Sequence, residues 1–252
     1  MKNNNVEKLE KDKKKKNIKL KTIIIIGIIV AIVVVGFIIY TTTSQNRKTI
    51  NNSTNSRGTS SEEHRSLPIA PEKPIIYLYP ERITELSIIL GKPENITCSY
   101  PKYKNGWNVI ANPDGTLIDV NTGRKLYSLY WEGIDNADIN FKEGFIVKGN
   151  DTIEFLEEKL AILGLNEMEA EEFIVYWLPK LKENEYNYIR FASINEINEI
   201  MPLKFSVEPD TTIRVLMQFK GLENPIDVQE QKLETPERTG FVAVEWGGTE
   251  IK

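Results

Sequence analysis

The chain has 252 residues, 40% apolar and 27% charged, with a single His and a single Cys. Its formal charge of −4 hides a division, because residues 1–22 carry +6, residues 23–40 carry no charge, residues 41–72 carry +1 and residues 73–252 carry −11. His64 lies outside the acidic region and Cys98 is alone in it. That region therefore has no histidine base, no Cys–His pair, no Ser–His–Asp triad, no Cys/His zinc site and no internal disulfide. Its acidity also argues against nucleic acid as a partner.

Residues 1–22 form a basic tail with nine Lys, including Lys13–Lys16, Lys19 and Lys21. Residues 23–40, IIIIGIIVAIVVVGFIIY, are an unbroken apolar run. As a helix it would span roughly 27 Å, close to the hydrocarbon thickness of a bilayer. It has no polar face and is not followed by a small-residue cleavage site, so it reads as an uncleaved transmembrane anchor rather than a signal peptide. The preceding lysines place the N-terminus in the cytoplasm and everything after Tyr40 outside. Residues 41–72, rich in Thr, Ser and Asn, read as a flexible polar stalk that contains His64. Residues 73–252 read as one extracytoplasmic domain.

Strands are expected at Ile75–Tyr79, Ile83–Leu90, Ile96–Tyr100 and Trp107–Ala111. A turn at Pro113-Asp114-Gly115 and another at Asn121-Thr122-Gly123 lead into a strand over Lys125–Trp131, and Gly144–Lys148 follows. Asp151 with Glu154 has the pattern of a capping box, and Ile153, Leu156, Leu160 and Leu163 recur at helical spacing up to Gly164. Asn166 with Glu169 has the same pattern, followed by a stripe of Ala170, Phe173, Ile174, Trp177, Leu178 and Leu181. Residues 151–183 thus read as a helical hairpin, with Pro179 kinking the second helix or ending its regular part. Strands return at Tyr188–Ala192, Leu203–Val207, Thr212–Phe219 and Phe241–Trp246. The expected class is α+β: a mostly antiparallel sheet with one helical hairpin on it.

Aromatics are the strongest chemical signal, since all four Trp and nine of ten Tyr fall within 73–252. Rings beside acids suit sugar or peptide recognition by stacking and hydrogen bonding. Trp131-Glu132 and Glu245-Trp246 each end a strand before Gly. Alternation along a strand makes each ring and its neighbouring carboxylate diverge, with the rings expected to bury. Any site would join a ring from one segment to a carboxylate from the other, giving Trp131, Glu132, Glu245 and Trp246 as candidate ligand-binding residues. Glu132 and Glu245 are also the best pair for acid–base hydrolysis of a glycosidic bond. Asp135, Asp138, Asn140 and Glu143 read as an oxygen-rich loop that could hold calcium. Ser99-Tyr100-Pro101-Lys102 matches S-x-x-K in form, but Pro101 opposes the helix that motif requires. Cys98 reads as a small buried apolar residue. Nucleotide loops, zincin motifs and G-x-S-x-G are absent, so no cofactor is expected.

The strings KPIIYLYPE (73–81), YSLYWEG (127–133), GFIVKGNDT (144–152), EEFIVYWLPKL (171–181), EPDTTIRVLM (208–217) and VEWGG (244–248) resemble the landmarks of an uncharacterised family of bacterial membrane-anchored or secreted proteins. The resemblance implies a cell-envelope setting and one folding unit over 73–252. It brings no activity, cofactor or catalytic residue. The expectation is an anchored extracytoplasmic binding or interaction module, its partners the bilayer through residues 23–40 and an envelope protein or glycan. The alternative is a carboxylate-dependent glycan hydrolase.

Overall fold

A computed structural model describes residues 65–139 and 141–251. The basic tail, the apolar run 23–40 and His64 lie outside the described residues. Among the described residues no helix is long and apolar enough to cross a membrane. One compact unit spans Glu62–Lys252, so it starts before the expected boundary at Lys73. The segment expected as the end of the stalk contains β1 (Arg65–Ile69), which pairs antiparallel with β9 (Asp135–Ile139).

The other strands form two sheets. An eight-stranded sheet contains β2 (Glu72–Tyr79), β4 (Ile96–Tyr100), β8 (Leu129–Gly133), β10 (Glu143–Lys148), β11 (Tyr186–Phe191), β13 (Thr211–Leu222), β14 (Gln229–Glu230) and β15 (Val242–Glu250). Its order is β14-β10-β11-β13-β15-β2-β8-β4. All neighbours are antiparallel except β10 with β14 and β13 with β15. A five-stranded antiparallel sheet contains β3 (Thr84–Leu90), β5 (Trp107–Ala111), β6 (Leu117–Asp119), β7 (Lys125–Leu126) and β12 (Leu203–Phe205). The strand expected over Lys125–Trp131 is broken: β7 joins the small sheet and β8 the large one.

Among the described residues there are three α-helices: α1 (Thr152–Ile162), α2 (Glu167–Lys182) and α3 (Ile194–Ile200). The capping box expected at Asp151 does not form, and a 3-10 turn over Gly149–Asp151 leads into α1 instead. The box at Asn166 and Glu169 does form. The Glu169 carboxylate also accepts two hydrogen bonds from Arg238, at 2.8 and 3.1 Å. Helix α2 runs through Pro179 to Lys182 rather than ending there. The bond Pro179 cannot make would go to Val175, which lies on the solvent-exposed face of the helix.

The domain is therefore mixed α+β in three layers. On one face of the large sheet, Ile75, Tyr77, Val215, Met217, Val244 and Trp246 pack with Leu156, Leu160, Phe173 and Trp177 of α1 and α2. On the other, Ile76, Leu78, Leu129, Trp131 and Leu216 pack with the small sheet and α3 through Leu86, Ile88, Trp107, Val109 and Ile197. With both faces covered, the central strands lose the in/out alternation of a solvated sheet: β2 buries five consecutive residues and β15 eight.

Candidate functional site

The four residues singled out at the Trp–Glu steps separate. Both rings bury. Trp246 faces the helices, with its ring centroid 5.4 Å from that of Phe173. Trp131 faces the small sheet and donates its indole N–H to Glu245 Oε1 at 2.9 Å. A ring from one segment thus meets a carboxylate from the other, across the intervening β2. Glu245, expected to face out if Trp246 faced in, is only 5% exposed, because β15 lies inside three layers. It accepts from Arg214 Nε at 2.6 Å, while Arg214 also donates to Asn198 Oδ1 at 2.7 Å and to the Met201 carbonyl at 2.9 Å. Beside Glu245 only about 10 Å³ is left open, room for roughly one water molecule. The seam holds layers together and has no room for a ligand.

A second ion pair ties the large sheet to α3, with the Arg190 side chain 3% exposed and that of Glu196 26% exposed. Arg190 grips Glu196 of α3 with three bonds of 2.9–3.0 Å and donates to Gln218 at 2.7 Å. Burial pushes the Glu196 carboxyl up, but the hydrogen bonds from Arg190 and Ser193 outweigh it and hold the group below its ordinary value.

Glu132 alone reaches an open site. It follows Trp131 on β8, so it projects from the opposite face to Trp131 and hence to Glu245. No single glycosidic bond can lie between these two carboxylates. Glu132 lines a cleft of about 650 Å³ with Lys73, Ile75, Tyr100, Tyr130 and Tyr176, closed at the rim by the Lys125–Ser128 segment. Period-2 alternation puts Tyr130 and Glu132 on one face. Tyr100 of edge strand β4 pairs directly with Tyr130, and Tyr176 comes from α2. Tyr127 is 62% exposed and Tyr100 51% exposed at the mouth, and Arg124 donates to the Tyr100 hydroxyl at 3.1 Å. Burial and the Glu132 carboxylate raise the pKa of Tyr130. Burial and the bond to Glu72 push Tyr176 up to about 12. Both phenols are therefore neutral at pH 7 and remain donors.

The floor of the cleft contains a backbone outlier. Between the pairs Trp246↔Ile75 and Gly248↔Glu72, β2 carries one more residue than β15. At this bulge Lys73 has φ 52°, the one described non-glycine residue in the left-handed region, which costs an L-residue about 1–2 kcal/mol. Pro74 follows directly, and a preceding residue is normally held extended. The bend puts the Lys73 ammonium 5.0 Å from the Tyr176 ring centroid and aims the Lys73 backbone N–H at Glu132 Oε1, 3.4 Å away.

Other expectations need correction. Residues 135–139 are a strand rather than a calcium-binding loop. Asp135 is bound by Lys92 at 2.5 Å, Glu143 belongs to β10, and Asn140 lies outside the described residues. Among the described residues no three His, Cys, Asp or Glu side chains gather to hold a metal. Cys98 is exposed rather than buried, because β4 is the sheet edge. Ser99 lies on that strand, not on a helix, and its hydroxyl accepts the Tyr103 N–H at 2.8 Å. The tyrosines and lysines of the cleft were missed individually. The one signal that could have found some of them is the Y-x-E spacing of Tyr130 and Glu132.

Fold and site together define a three-layer α+β domain with an open, tyrosine-lined cleft on the helix side of its large sheet. The chain matches no family model, no curated protein and no solved structure.

Proposed function

We propose that this protein is a membrane-anchored binding module of a bacterial cell envelope, and that its cleft holds a glycan. The cleft carries the reading: four tyrosines, two lysines and one carboxylate converge on an open space of about 650 Å³. Pyranose faces stack on exposed rings such as Tyr127 and Tyr100, and their hydroxyls need interleaved donors and acceptors. Glu132, the tyrosine hydroxyls and the lysines supply both kinds. The volume suits a short oligosaccharide. The membrane and envelope parts of the proposal rest on the apolar run 23–40, the lysines before it and the landmark strings.

The test of the cleft is a glycan array probed with the full chain in nanodiscs, beside a Tyr127→Ala/Tyr130→Ala variant. Selective binding that the double substitution abolishes is expected, and undiminished binding would refute the site. The topology is tested by protease added to intact, wall-stripped cells. Release of the folded fragment is expected, and its full protection with digestion of the N-terminal tail would overturn the orientation.

A further inference from the structure

Resting on the glycan-cleft reading, we infer that the ligand is a short oligosaccharide bearing an acidic group, a carboxylate or a phosphate, seated between Lys73 and Lys125. The cleft runs against the charge of its own domain. Residues 73–252 carry −11, yet the lining holds Lys73 and Lys125 against Glu132 alone. Glu132 is moreover engaged, by the Lys73 N–H and the Tyr130 side chain. Among the described residues neither lysine has a carboxylate within salt-bridge distance. The contacts Lys73 does make, with the rings of Tyr176 and Trp246 at 5.0 and 5.9 Å, orient the ammonium without neutralising it.

The backbone points the same way. Glycine would hold φ 52° without steric cost, whereas a lysine there is strained. Strained non-glycine residues cluster at ligand clamps and active sites, where the surrounding structure holds them in place. Here the strain keeps a cation over the floor of the cleft. The domain's remote carboxylates would repel a long polyanion, but salt cuts their field within about 8 Å. For a single acidic substituent the two ammonium groups lining the cleft decide.

The experiment is calorimetric titration of the full chain in phosphatidylcholine nanodiscs with two matched pairs of probes. One pair is trigalacturonate and its methyl ester, and the other is a phosphorylated maltotriose and maltotriose. At least one acidic member should bind about tenfold more tightly than its neutral partner, and the better pair names the group. Lys73→Gly and Lys125→Met should each remove most of that preference. Lys73→Gly should melt within about 2 °C of the parent or above it, since glycine relieves the strained backbone. Equal affinity within both pairs, with binding still dependent on Tyr130, would overturn the acidic group and leave the glycan cleft standing. An acidic preference untouched by both lysine substitutions would also overturn it. Absence of binding by all four probes would count against the glycan reading itself, and the inference would fall with it.

Discussion

Replacing Glu245 by Gln removes the charge from the buried seam while keeping its shape. The side chains of Arg214 and Glu245 are 1% and 6% exposed, so the substitution leaves a guanidinium in the interior without its counter-ion. Breaking a buried pair from one side costs about 3–5 kcal/mol. Arg214 keeps two neutral acceptors, Asn198 Oδ1 and the Met201 carbonyl, and the Gln oxygen can accept from Nε. The Gln amide N–H then faces the Trp131 indole N–H, which Glu245 Oε1 accepts in the parent, so one buried donor loses its partner. The loss should therefore sit in the middle of that range, about 4 kcal/mol. At about 2–4 °C per kcal/mol for a domain of this size, the melting temperature should fall by about 8–16 °C. Urea unfolding should show a lower midpoint at unchanged slope. Glu132→Gln is the matched control: its half-buried carboxylate borders solvent, so stability should move by no more than about 0.5 kcal/mol. Equal shifts for the two variants, or an unchanged melt for Glu245→Gln, would refute the assignment of one carboxylate to structure and the other to the cleft.

Glu196 predicts a pH dependence. Its carboxyl lies below the ordinary value of 4.5 in the folded state, so its stabilisation is complete above that value and is lost as pH falls through the folded pKa. The urea-midpoint gap between the parent and Glu196→Gln should shrink as the pH falls below the ordinary value of 4.5, and a constant gap would contradict the linkage. Gly248→Ala should cost about 1–3 kcal/mol by thermal melting, because its Cβ would sit 2.6 Å from the Trp177 ring and 3.1 Å from the Met217 carbonyl oxygen. Tyr127→Ala should leave the melt unchanged and weaken glycan binding about two- to tenfold, as loss of one stacking ring does; a destabilised fold would mean the ring is structural.

The helix pair was legible because its signal is local. The offsets from Ala170 to Leu181 specify one apolar stripe, and Phe173, Trp177 and Leu181 are indeed buried. Helix α3 was missed although Ser193 and Glu196 form a capping box in the sequence and in the fold. Seven residues between strands carry too short a pattern for periodicity to register. What could not be read was which layer covers which face. The strand expected over Lys125–Trp131 contributes to two sheets, and Glu245 buries because a second layer lies over a face that alternation alone would give to solvent. The cleft draws Tyr176 from a helix and Lys125 from the other sheet, so its composition is tertiary. The left-handed turn at Lys73, just before a proline, runs against local preference and leaves no mark in the sequence.

Strands β13 and β15 lie side by side with apolar residues on both faces, and hydrophobicity alone would barely object if one slid along the other. In the observed register Arg214 stands directly opposite Glu245. A slip of one residue would set Arg214 against Val244 or Trp246, and a slip of two against Ala243 or Gly247, none of which carries a charge. Every misaligned pairing therefore strands a buried guanidinium and a buried carboxylate together. The ion pair acts as an indexing pin: it discriminates among alignments that the oily residues around it would treat as nearly equivalent.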